Sequence, residues 1–96
     1  MSTLNLQISF DLHKNNQNKL TRGLSFRLAL RFEWPSALIK EDHRHDYGET
    51  RFLAMGYLDA RVHVIVFTPR KQMIHIISLR KANPREVRMY EKSKTA

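Results

Sequence analysis

The chain predicts a single α+β domain, residues 1–96: an antiparallel sheet with helices packed on one of its faces. Three observations carry that expectation. Three β-rich runs follow one another closely in the second half, joined by short polar connections. Helix start and stop signals stand before and after those runs, which segregates helices from strands. At 96 residues the chain has room for one modest core and no second one.

The elements follow in order. Leu4 to Phe10 alternates Leu4, Leu6, Ile8 and Phe10 with polar residues, the period of a half-buried strand. Asp11 is placed to cap a helix running to about Arg22, and Gly23 to stop it. That helix is poor in apolar residues, with Leu12 and Leu20 as its expected anchors. Ser25 reads as a second cap, with Phe26, Ala29 and Leu30 following at helical spacing. Pro35 bars any continuation. "SALIK" reads as a short strand and "EDHRHDYGE" as a polar loop.

"RFLAMGYL", "VHVIVFT" and "QMIHIISL" then form the expected meander, the middle run covered on both faces. In the last run a period of two puts Gln72, Ile74, Ile76, Ser78 and Arg80 on one face and Met73, His75, Ile77, Leu79 and Lys81 on the other. Asn83, Pro84 and Glu86 have the spacing of a capping box with proline at the first helical position. Val87 and Tyr90 of that last helix face inward.

Net charge is +8, unevenly spread. Residues 1–50 carry seven Lys/Arg and six Asp/Glu; residues 51–96 carry ten and three. Such a field draws polyanions. There is no cysteine, which excludes disulfides and thiol chemistry and suits a reducing compartment such as the cytoplasm. No apolar run approaches the ~20 residues of a membrane span, and the start of the chain lacks the pattern of a secretory signal. No membrane partner is expected.

Candidate site residues are cations and their neighbours. Arg80 ends a largely apolar strand face, where it can lean into a cleft. Arg51 opens the first meander strand. In an up-down-up meander these two fall at opposite ends. Glu49, two residues before Arg51, is either a general base held by that arginine or half of a strand-opening ion pair. Lys14, Asn18 and Arg22 recur at helical spacing and form a stripe suited either to a phosphate backbone or to solvent. Lys81 extends the cationic strand end, and Tyr90 either donates a proton or docks in the core. His43, His45, Asp46 and Glu49 lack the spacing of a metal site, so no metal or cofactor is expected. His63 and His75 read as sheet-face residues, and Trp34 as a core or contact residue.

The ordered series Glu49, Arg51, Phe52, Gly56, Ile76, Ile77, Ser78, Arg80, Ala82, Arg85, Glu86, Tyr90 and Glu91 resembles the BrnT family of type II toxins. That family shows a Glu-x-Arg-Phe opening, then R-I-I-S-A-R-x-A and R-E-x-x-x-Y-E. Asp11, Lys14, Asn18, Gly23, Ser25 and Phe26 match the family's N-terminal pattern, while Phe10 stands for its Trp and Arg22 for its His. An arginine there keeps phosphate binding and removes a group that titrates near neutral pH. The resemblance implies a RelE-like fold and an RNA endonuclease that inhibits translation. It also implies a BrnA-like antitoxin that neutralises the toxin and through which alone operator DNA is reached. The other reading is a catalytically impaired RNA- or protein-binding module of the same fold.

Overall fold

The computed structural model describes residues 6–44, 46 and 48–95. The strand expected over Leu4–Phe10 is seen as β1, Ile8–Phe10; Leu4 lies outside the described residues. Next come α1, Leu12–Arg22, and two short 3-10 helices, Phe26–Leu30 and Trp34–Ser36. The meander and its flanking strand are β2, Leu38–Glu41; β3, Phe52–Leu58; β4, Arg61–Arg70; and β5, Met73–Lys81. Helix α2, Pro84–Thr95, closes the chain.

The five strands stand in the order β1-β5-β4-β3-β2. Strands β2 to β5 pair antiparallel through two-residue loops or the longer 42–51 connection. The expected wholly antiparallel sheet is corrected at one edge: β1 runs parallel to β5, with Ile8, Ser9 and Phe10 opposite Ile74, His75 and Ile76. A period of two marks a strand but says nothing of its partner or direction. The tight loops take left-handed backbone at Asp59 and Lys71 (φ 58° and 57°).

Both faces of the sheet are covered, not one. On the first, Phe26, Ala29 and Phe32 from the 3-10 layer pack on Ala54, Leu58, Ile65, Phe67, Ile76 and Leu79. On the second, Tyr90 and Val87 of α2 pack on Met55, Val62, Val64 and Ala82. Helix α2 is too short to cover the whole second face. It lies over the Val62–Val64 end of β4, and the end near Thr68 is left without a helix. Gly56 marks the closest approach on the first face: a Cβ there would meet the Phe32 ring at 2.8 Å.

A bulge divides β5. Val66 pairs with Ser78, but Phe67 pairs with Ile76, so Ile77 is the extra residue. The expected alternation along Gln72 to Arg80 therefore breaks. Ile76 and Leu79 both face the first core, while His75, Ser78 and Arg80 share the second face.

The expectation that Leu12 and Leu20 anchor α1 is corrected: they are 68% and 86% exposed. Two buried asparagines hold it instead. Asn15 Oδ1 accepts the Phe26 backbone N–H at 2.7 Å. Asn18 Nδ2 donates to the carbonyls of Leu24 and Leu79, both at 2.9 Å. The second bond satisfies the edge of β5 just past the end of β1, where no strand is present to do so. Asp11 caps α1 by accepting the Lys14 N–H, and Gly23 ends it at φ 70°.

Candidate active site

The uncovered half of the second sheet face carries a row of polar residues across four strands. Ser9 lies opposite His75, and His75 opposite Thr68. Arg51 follows just ahead of β3, one residue before the Phe52–Phe67 pair. The Thr68 hydroxyl donates to the Thr50 carbonyl at 2.6 Å and so ties the Glu49–Arg51 segment down onto β4.

Around this row lies a cleft of about 250 Å³ lined by Asp11, Lys14, Glu49, Arg51, Arg70 and His75, and bordered by Ile76 and Ile77 of β5. Glu49 Oε1 accepts from Arg70 at 3.3 Å, and its Oε2 lies 3.6 Å from Arg51 Nε. A second groove shares Lys14 and Ile77 and continues along α1 past Leu20 and Arg22 to Ser78. The two adjoin at these shared residues, a channel bordered by four cations, Arg70, Arg51, Lys14 and Arg22, and two carboxylates, Asp11 and Glu49.

His75 was expected to be an ordinary sheet residue and is the histidine of this cleft. Its Nδ1 lies 2.8 Å from Ser9 Oγ. Burial lowers its pKa below the usual histidine value, and the Arg70 and Lys14 cations lower it further; Glu49 and Asp11 oppose them. The ring is therefore neutral at neutral pH and able to accept a proton. The clue in the sequence was its place in the motif: the family's R-I-I-S-A-R opens on arginine, and His75 stands there.

Of the residues named from the sequence, Glu49 and Arg51 lie together in this cleft, and Lys14, named there only as part of the α1 stripe, joins them. Arg80 shares the same sheet face but lies five residues beyond His75, opposite Val64, which is four residues from Thr68 along β4, roughly 13 Å at strand rise. It holds Glu86 in a bidentate pair at 2.7 and 2.8 Å. That pair raises the Arg80 pKa and lowers that of Glu86. Glu86 also accepts the Asn83 N–H at 2.9 Å and Asn83 accepts the Glu86 N–H at 2.8 Å, which completes the expected capping box. The geometry thus assigns Arg80 to the start of α2, and Lys81 lies exposed beyond it.

The stripe on α1 divides. Lys14 and Arg22 line the channel, while Asn18 is buried between them and accepts from Arg22 at 3.0 Å. Tyr90 is buried against Tyr57, its hydroxyl donating to the Ser36 carbonyl at 3.3 Å. Phe10 packs edge-on against Phe26 in the first core. In the polar loop, His43 faces Glu41 at 3.7 Å; His45 lies outside the described residues. Among the described residues no three His, Cys, Asp or Glu side chains gather as metal ligands, and no helix is long and apolar enough to cross a membrane.

Two comparisons bear on this geometry. No curated protein sequence matches the chain. The fold is similar to that of the ribonuclease toxin BrnT from Brucella abortus, solved at 1.1 Å, with a TM-score of 0.65 and 23% identity. The match covers 81% of this chain and 97% of that one. Residues 10–86 match the family described as ribonuclease toxin, BrnT, of type II toxin-antitoxin systems. The chain belongs to that family of ribonuclease toxins.

Proposed function

We propose that the chain is an endoribonuclease that makes RNA cut itself in the cleft around His75. The observation that carries this is the meeting of a neutral histidine, two carboxylates and three cations on the uncovered half of a sheet face. Arg51 and Arg70 hold the scissile phosphate and stabilise charge growing on it. His75 accepts the 2′-hydroxyl proton, and the 2′-oxygen attacks the neighbouring phosphorus. The P–O5′ bond breaks, and the leaving oxygen takes a proton from the Lys14 ammonium or from water. The imidazolium formed on the way is stabilised by Glu49 and Asp11. No step uses a metal. The rest of the strand runs over Lys14 and Arg22.

The cell-level reading follows the family. The toxin acts in the cytoplasm and stops translation by cutting RNA. A BrnA-like antitoxin neutralises it by laying acidic side chains over the channel, and contact with operator DNA is made only through that antitoxin. One observation favours a second reading, a binding module with impaired catalysis: both Glu49 oxygens are engaged by arginines, and Arg22 stands at the family's histidine position.

The test is incubation of purified chain with short end-labelled RNA, with and without chelator. Chelator-resistant products ending in a 2′,3′-cyclic phosphate support the nuclease, and Arg51→Ala lowers their rate by about 10²-fold. Salt-sensitive binding without products supports the binding module.

A further inference from the structure

The chemistry above uses one nitrogen of His75, and the imidazole has two. A neutral ring carries one donor and one acceptor, and the partner of one nitrogen decides the state of the other. Ser9 Oγ sits 2.8 Å from Nδ1. The two residues face each other in the β1–β5 ladder, so paired backbone fixes their separation. Ser9 also lies one position before the residues that match the family, so the family match assigns it nothing.

We infer that Ser9 is a positioning residue: its hydroxyl accepts the Nδ1–H of His75, holds the ring in that tautomer and presents the Nε2 lone pair to the cleft. This rests on His75 being the base proposed above. The surroundings of the cleft argue for this tautomer over the other. Lys14, Arg51 and Arg70 offer only N–H groups. The Glu49 carboxylate is engaged by two arginines, and Asp11 accepts the Lys14 backbone N–H. An Nε2–H directed there faces three cations and competes with their N–H groups for two carboxylates already engaged; an Nε2 lone pair meets complementary groups and, when RNA is bound, a hydroxyl proton. The lowered pKa keeps the ring neutral, so the choice of tautomer matters at working pH.

The experiment reads the ring directly. Long-range ¹H–¹⁵N spectra of the labelled full chain give the tautomer of His75, with its signals assigned by their loss in His75→Gln. The wild type should show Nδ1–H. Ser9→Ala should move the population toward Nε2–H and lower kcat about tenfold or more, with KM within about twofold. Ser9→Thr, which keeps the hydroxyl, should restore both. An Nε2–H ring in the wild type, or a Ser9→Ala ring unchanged in tautomer, overturns the inference. If the wild type shows Nδ1–H and Ser9→Ala shifts it, but neither cleaves RNA, the Ser9 assignment stands and the nuclease reading fails.

Discussion

Arg80 grips Glu86 with both terminal nitrogens, at 2.7 and 2.8 Å, across the turn that joins β5 to α2. The same carboxylate caps the helix through Asn83. One glutamate thus fixes the start of α2 and, through it, the burial of Tyr90. Arg80→Ala should lower stability by about 1–3 kcal/mol, the range for a hydrogen bond to a charged group, read as a fall of about 4–8 °C in Tm per kcal/mol. RNA cleavage at a temperature where the variant is folded should persist. Because Arg80 lowers the Glu86 pKa, the pair stabilises the fold above the ordinary glutamate range and ceases to as pH falls through the folded-state value. Acid titration of Arg80→Ala should lack that component.

Asn18 does for α1 what apolar anchors do for most helices. Asn18→Leu keeps the branched shape, though not the size, and leaves the Leu24 and Leu79 carbonyls and the Arg22 guanidinium without this partner. The expected loss is about 2–3 kcal/mol by urea unfolding. Hydrogen exchange should rise in α1 before the central strands, since the helix is released and the meander is not.

The depressed pKa of His75 sets the direction of two pH dependences. Cleavage should rise with pH through a midpoint below 6.5, because only the neutral ring accepts a proton. Stability should fall as pH drops below 6.5, because the unfolded chain takes up a proton that the folded ring resists. His75→Gln should abolish the first dependence and flatten this part of the second. A cleavage midpoint above 6.5 contradicts the assignment of His75 as the base.

Gly56→Ala forces a Cβ to within 2.8 Å of the Phe32 ring and 3.3 Å of the Ala37 side chain. Phe32 is buried and wedged against Trp34, with ring centroids 4.8 Å apart, so it has little room to yield. The variant should lose about 1–3 kcal/mol. Gly56→Ala with Phe32→Leu should recover part of that loss, measured as a double-mutant cycle.

The parts legible in the sequence are those written locally. Asp11, Gly23, Ser25 and the Asn83–Glu86 box marked helix boundaries because a cap is decided by residues one to three positions apart. Short polar connections marked the meander for the same reason. What stayed hidden is what distant residues decide. The parallel seat of β1 depends on residue 74 meeting residue 8. The bulge at Ile77 breaks the period of two, and with it the face of every residue toward Met73. Polar anchoring of α1 by Asn15 and Asn18 leaves no apolar stripe to read. The candidate site was half visible for that reason: Glu49, Arg51 and Lys14 could be named from motif and spacing, whereas His75 and Arg70 reach the cleft only through the register of strands.

The three-residue strand β1 has a consequence for when the cleft comes into being. Ser9 and Asp11 border the cleft from one terminus, while Arg70 and His75 come from near the other. Closure over so long a loop is entropically slow compared with local hairpins. A ribosome that has made seventy residues carries no completed cleft, and a fragment lacking either end has none to complete. The proposed activity therefore waits until residues 9 and 75 have met, and the interval before β1 joins β5 is time in which a neutralising partner can already be waiting.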